Sequence, residues 1–271
     1  MEKNLFISIL ICCYNSEKYI SDTLDSVLIQ KYSNYEIVIV DDGSEDNTKN
    51  IIEKKLLNKE YIYKFQKNKG LSESRNLGLS LCNSNYIFIL DHDDIMDKNR
   101  LENQVKEIIN NKGYSVYFGN SYLGLDNQMN KYELIKSKSK FDINIKEINN
   151  ILIDEYLLMY GCFIASSTVV INKSKLSKYF FNEKFNYVTD YDFFIEQSTK
   201  NKFFKSNNIY ASWRINDNQI SSKNIKKNLI ENIQVYNKYF KKNKKYILNF
   251  VILKNYIKIH LKNFIYIFIK K

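Results

Sequence analysis

The chain has 271 residues, 44% hydrophobic and 15% aromatic, with 41 basic and 30 acidic side chains and a net charge of +11. That is enough apolar material for one large domain, or one domain with an appendage, and it excludes a disordered chain. The charge is uneven: residues 223–271 carry 13 lysines and a single acid, Glu231, for +12, so residues 1–222 hold −1 and are not a nucleic-acid-binding body.

Residues 5–12 are a near-continuous apolar run, as expected of a strand buried on both faces in a parallel sheet. Asn15-Ser16 offers a helix cap, and an amphipathic stretch follows to about Gln30. Residues 36–40 make a second buried strand, ending in Asp41-Asp42-Gly43-Ser44, with a helix over 46–57. A strand at 61–65, a helix at 72–81, a strand at 86–90, a helix at 97–111 and a strand at 114–118 come next. The alternation predicts an α/β fold with a mostly parallel central sheet flanked by helices. The second half is less regular: helix over 141–160, strand over 163–172, a helix capped by Thr189, a short strand at 209–213, and two helices after 223. The expected division is a catalytic domain at 1–222 and a basic helical C-terminal extension at 223–271. Met1-Glu2-Lys3-Asn4 leads straight into the first strand, so no targeting segment is expected.

The cluster Asp91-His92-Asp93-Asp94 follows the apolar run 86–90. Three carboxylates in four residues repel one another and call for a counter-charge. A hard divalent cation that also binds substrate phosphate supplies one, since Mg²⁺ takes one or two carboxylates plus phosphate oxygens. Ligands of open α/β sheets bind outside the carboxyl ends of the strands. Tyr14-Asn15, Asp41-Asp42-Gly43-Ser44 and the 91–94 cluster all fall at such ends, so they should line one cleft. No G-x-G-x-x-G or Walker loop is present, which argues against a dinucleotide-binding or P-loop enzyme. The four cysteines, Cys12, Cys13, Cys82 and Cys162, have no metal spacing and read as packing residues in a reducing cytoplasm.

Four segments, taken in order, resemble the family 2 glycosyltransferases, which have the GT-A fold. They are Ile7–Asn15, Val38–Thr48, Asn68–Asn76 with Leu90–Asp94, and Thr189–Asp192. The resemblance spans roughly residues 5–222. It implies an inverting transfer of sugar from a nucleotide-diphosphate donor, by family prevalence a UDP-sugar, with Mn²⁺ or Mg²⁺ as cofactor. It places Tyr14 against the base, with Asn15 beside it and main-chain contacts near Cys12 and Cys13. Asp42, with Asp41, would accept a hydrogen bond from the base, and Arg75 would organise the nucleotide pocket. Asp93 would contact ribose or metal, and Asp91 or Asp94 would share the metal, with no ranking among the three. Asp190 matches the family's general base, with Asp192 as the competing carboxylate. Two departures stand out: Thr189 replaces the glutamate that precedes the base, and Asn216 replaces a later histidine. Arg214 and Trp213 are candidate diphosphate or acceptor contacts.

In the tail, Phe250, Leu253, Ile257, Leu261, Phe264 and Phe268 share one helical face beside Lys254, Lys258 and Lys262. Such a helix suits an anionic membrane surface and a lipid-linked or polysaccharide acceptor. It equally suits packing on its own domain or on a second subunit of a homo-oligomer. The expected location is cytoplasmic, peripheral on the inner face of the membrane. The competing functions are a nucleotidyltransferase, which usually needs a glycine-rich phosphate loop that Ile11–Asn15 does not provide, and a non-catalytic sugar-nucleotide-binding protein.

Overall fold

The structure, a computed structural model, describes residues 4–125, 153–177, 180–215 and 225–240. The parallel half follows the sequence closely. Its strands are β1 (Ile7–Cys13), β2 (Tyr35–Asp41), β3 (Tyr61–Phe65) and β4 (Tyr86–Asp91); the helices between them are α1 (Ile20–Leu28), α2 (Thr48–Lys55) and α3 (Leu71–Leu81). A two-residue β5 (Ile95–Met96) and α4 (Arg100–Asn110) follow, then β6 (Val116–Leu125). The second half holds α5 (Ile153–Tyr160), β7 (Val170–Asn172), α6 (Thr189–Ser198), β8 (Phe203–Ile215) and α7 (Ile225–Phe240).

Among the described residues the strands form one mixed sheet in the order β3-β2-β1-β4-β7-β6-β8-β5. β3, β2, β1 and β4 are parallel, whereas β7 runs antiparallel to both β4 and β6. The chain moves outward from β1 to β3 and then returns to place β4 on the other side of β1. That reversal opens a crevice at the carboxyl ends of β1 and β4, the usual ligand position in such sheets.

Strand alternation sorts the core onto two faces. Ile7, Ile9, Ile11 and Cys13 pack with Ile20, Leu24 and Val27 of α1, Ile52 of α2, and Leu101, Val105 and Ile108 of α4. Leu10 and Cys12 face the other way, towards Leu79 of α3, Leu157 of α5 and Phe193 of α6. Gly78 lets α3 lie directly on β1: a Cβ there would sit 2.3 Å from Leu10 Cδ1. Burial pushes the Cys12 thiol up to about 12 and the Cys13 thiol well above its ordinary value, in keeping with packing.

Two expectations change. The apolar run 163–172 is not one strand, because Ser166–Thr168 form a 3-10 turn before the short β7. Its hydroxyls bond elsewhere: Ser167 Oγ to Asp94, and Thr168 Oγ1 to the carbonyls of Ala165 (2.8 Å) and Gly119 (3.2 Å). Such side-chain bonds compete with a strand ladder. The strand expected at 209–213 extends over Phe203–Ile215 and pairs in parallel with β6, with a bulge near Asn120.

Side chains from before and after residue 222 share one core. Val235, Tyr236 and Tyr239 of α7 belong to the same core cluster as α3 and α6. Glu231 of α7 accepts hydrogen bonds from the backbone N–H groups of Asn186, Tyr187 and Val188, at 2.7–3.2 Å, where the chain enters α6. The amphipathic tail and residues 141–152 lie outside the described residues.

A carboxylate at a helix start satisfies orphan N–H groups and complements the helix dipole. Glu231→Ala should therefore lower unfolding free energy by ~1–2 kcal/mol. Lys226→Ala, exposed on the same helix, should change it by less than about 0.5 kcal/mol. Urea unfolding of the two variants beside the parent protein measures both.

Candidate active site

The carboxyl ends of three strands meet at the crevice, with Cys13 opposite Asp41 and Cys12 opposite Asp91 in the sheet register. The loops after β1 and β2 are zipped together. Asn15, at φ +47°, donates its N–H to Ser44 Oγ (2.9 Å), and its side-chain oxygen accepts the N–H of Glu45 (2.9 Å). Ser16 N–H donates to Thr48 Oγ1 at 2.7 Å. Tyr14 stands at the lip of this pair of loops, 46% exposed.

Asp41 and Asp42 are both buried and turned to the protein. Asp41 accepts the N–H of Ser44 (2.8 Å) and the hydroxyl of Tyr63 (2.7 Å). Burial, and then Asp41 itself, raises the Tyr63 hydroxyl above its ordinary pKa. Asp42 accepts Gln66 Nε2 (2.7 Å) and the N–H groups of Lys69 (2.9 Å) and Gly70 (2.8 Å). Gly43, at φ +87°, keeps this loop close, since a Cβ would lie 2.7 Å from the Asn68 nitrogen. These carboxylates thus pin the loops around the crevice. Of the roughly four acceptor positions of a carboxylate, Asp42 has three filled by protein donors.

The 91–94 cluster does not act as one unit. Asp91 and Asp93 are half-buried, whereas Asp94 is 2% exposed. Asp94 Oδ1 accepts the N–H of Arg214 (2.9 Å), and Oδ2 accepts the hydroxyl of Ser167. Burial, followed by the charges of Asp93 and Asp91, holds the Asp94 carboxyl well above the usual carboxylate range. Asp91 and Asp93 stay partly exposed, while both oxygens of Asp94 are taken by protein donors. Among the described residues no three His, Cys, Asp or Glu side chains converge on one point. A pair of hard carboxylate oxygens still fits a divalent cation that takes its other ligands from a donor diphosphate and water.

Arg214, expected near a diphosphate, is buried as an internal clamp. Its Nε donates to the Asp93 carbonyl (2.7 Å), its Nη2 pairs with Asp22 (3.2 Å), and its guanidinium lies 4.9 Å from the Tyr19 ring centre. Its neighbour Trp213 remains 44% exposed. Asn216 lies outside the described residues.

The centre of the site is Arg75, on α3 and 2% exposed. Its Nη2 donates to Asp91 Oδ1 at 2.9 Å, and its Nη1 donates to Asp190 Oδ1. The guanidinium rests 5.2 Å from the Phe181 ring centre. Asp190 is the second residue of α6, and its Oδ2 accepts the hydroxyl of Ser166 at 2.8 Å. Thr189 is not the cap: it is the first helical residue, and its hydroxyl donates to the Phe185 carbonyl (3.1 Å) and meets Ser72 Oγ (2.9 Å). The cap function falls to Glu231 from α7.

Asp192, the competing carboxylate, is fully buried. It pairs with Lys238 (2.9 Å) and accepts the hydroxyl of Tyr239 (3.1 Å), so it anchors α7 and does not reach the crevice. Asp190 and Asp192 are two residues apart, which on a helix places them on nearly opposite sides. The residues that sequence reasoning missed are Ser166, Ser167, Gln66 and Glu231. The available signal for the serines was a run of three hydroxyl side chains inside an otherwise apolar stretch.

The family model described as Glycosyl transferase family 2 matches residues 8–180, more than half of the chain and ending just before Asp190. An uncharacterized glycosyltransferase of Rickettsia prowazekii is 30% identical over 220 residues, covering 78% of this chain and 63% of that protein. The chain thus spans less than two thirds of that relative's length. The Escherichia coli protein WfgD, named as a UDP-Glc:alpha-D-GlcNAc-diphosphoundecaprenol beta-1,3-glucosyltransferase, is 31% identical over 237 residues, covering 81% of each chain. Among solved structures, residues 1–349 of Staphylococcus aureus TarS in complex with UDP match with a TM-score of 0.67 and 19% identity, covering 95% of this chain and 72% of that one. The mixed α/β sheet shared with that structure and the family match over β1 to β7 give the same answer: the chain belongs to glycosyl transferase family 2, with the GT-A fold.

Proposed function

We propose that this protein transfers a sugar from a nucleotide-diphosphate donor to a hydroxyl acceptor with inversion at the anomeric carbon, and that Asp190 is the general base. The observation that carries the reading is Arg75, whose one guanidinium pairs with Asp91 at the end of β4 and with Asp190 at the start of α6. Asp91 and Asp93 are then on the donor side and Asp190 on the acceptor side.

The donor diphosphate would lie outside the ends of β1, β2 and β4, with Tyr14 against the base and Asn15 and the Cys12 main chain near it. Asp91 and Asp93 are the residues that would hold Mn²⁺ or Mg²⁺ against the phosphates; bound there, the cation offsets charge developing on the departing diphosphate. Asp94 would act from behind, fixing Arg214 and, through it, the main chain at Asp93.

The acceptor oxygen attacks the anomeric carbon as Asp190 removes its proton, and the bond to the diphosphate breaks on the opposite face. Asp190 lies in the first turn of α6, where the helix dipole favours an ionised carboxylate by ~0.3–1 kcal/mol. Arg75 divides its charge between Asp91 and Asp190, so neither carboxylate takes the full counter-charge.

TarS is solved in complex with UDP, and WfgD is named for UDP-Glc and alpha-D-GlcNAc-diphosphoundecaprenol. Both support a role in surface polysaccharide or lipid-linked glycan synthesis, with a UDP-sugar donor. Among the described residues no helix is long and apolar enough to cross a membrane. We place the enzyme at the cytoplasmic membrane face through its lysine-rich tail, a reading that rests on the sequence of residues 241–271.

Asp190→Asn should lower turnover by about 10²–10⁴-fold, the range of a general base, while UDP binding by calorimetry stays unchanged. Near-normal turnover would remove the base assignment. Chelation with EDTA should suppress UDP release from a UDP-sugar, and Mn²⁺ should restore it. Asp93→Asn should weaken Mn²⁺-dependent UDP binding by about 10-fold or more and leave metal-free binding as it was. Equal effects in the two conditions would contradict the metal role of Asp93.

A further inference from the structure

The turn Ser166–Thr168 touches both halves of the crevice. Ser167 Oγ accepts the N–H of Asp91 (3.0 Å) and donates to Asp94 Oδ2. Ser166 Oγ donates to Asp190 Oδ2 at 2.8 Å. Behind it, Thr168 is fully buried, and its carbonyl accepts Gln104 Nε2 at 2.8 Å. Two adjacent serines on one anchored turn therefore hold the acidic end of β4 and the carboxylate of α6.

We propose that Ser166 is a positioning residue for the transfer: its hydroxyl fixes the rotation of the Asp190 carboxylate. This role of Ser166 rests on Asp190 being the base and adds to it. The terminal torsion of an aspartate is broad and roughly two-fold, so one hydrogen bond leaves the carboxylate free to swing. Arg75 secures only Oδ1, and through the same guanidinium it also serves Asp91. Ser166 secures Oδ2 from a different element, and two anchors on two oxygens define one orientation. Asp190 remains 26% exposed, so its carboxylate is reachable from the crevice while held there. A base held in the geometry of attack gains from proximity and orientation, which are lost when it rotates.

Ser166→Ala removes the hydroxyl, and Ser166→Thr keeps it. Initial rates of UDP release from UDP-glucose and UDP-N-acetylglucosamine with Mn²⁺ would be measured for both variants. UDP affinity by calorimetry serves as the check that the fold is intact. Ser166→Ala should lower kcat by about 10- to 100-fold, the scale of one charge-assisted hydrogen bond, with KM for the donor and UDP affinity unchanged. Ser166→Thr should recover most of the rate, and Ser166→Ala should cost nothing further in an Asp190→Asn background.

Crystal structures of the parent protein and Ser166→Ala give a reading that needs no turnover: the Asp190 carboxylate should rotate in the variant. An unmoved carboxylate, or full activity of Ser166→Ala beside an inactive Asp190→Asn, would overturn the role of Ser166 and leave the base assignment standing. Full activity of Asp190→Asn would overturn both.

Discussion

A buried guanidinium is costly unless its charge is met by carboxylates and its N–H groups by acceptors. Arg75 satisfies that demand with two aspartates from distant parts of the chain, Asp91 at the end of β4 and Asp190 at the start of α6. The fork geometry of arginine is what permits it: one Nη serves each carboxylate, where the single ammonium of lysine would act as a point charge. Because α3 carries Arg75 and Gly78 seats α3 directly on β1, the bridge is referenced to the centre of the sheet. The spacing between the end of β4 and the start of α6 follows from this one contact.

The surrounding groups make that spacing rigid. Asp42 draws the loop ahead of α3 onto β2 through the N–H groups of Lys69 and Gly70. Ser167 and Arg214 hold Asp94 beneath the cluster, and Ser166 meets Asp190 from the other side. From the far end, α7 caps the entry to α6 with Glu231 and locks its first turn through Lys238 and Asp192. A helix that sequence charge assigns to a basic appendage thus contributes to the placement of the proposed base.

Half of this was legible in the sequence. The strands β1, β2 and β4 are continuous apolar runs ending in polar clusters, and a parallel sheet buried on both faces produces that pattern. Arg75, Asp91 and Asp190 could be singled out because they fall at motif positions, and the structure brings the three together. Residues that serve the same site through backbone or long-range contacts left no such mark. Asp94 and Arg214 look like cleft residues by position, yet both are buried against each other. Asp192 differs from Asp190 by only two positions, and helix geometry, not residue type, turns it inward. Glu231 reads as one acid in a lysine-rich tail, and its three N–H partners lie over forty residues earlier. Ser166-Ser167-Thr168 sits in an apolar run, where periodicity favours a strand and the hydroxyl contacts decide for a turn.

A crystal structure of the protein with UDP and Mn²⁺ tests the central claim most directly. The account predicts the diphosphate outside the ends of β1 and β4, the cation ligated by Asp91 or Asp93 together with phosphate oxygens, and Asp190 facing the open side of the bound β-phosphate. A nucleotide bound elsewhere on the sheet, or a diphosphate held without the cation or either aspartate, would contradict it.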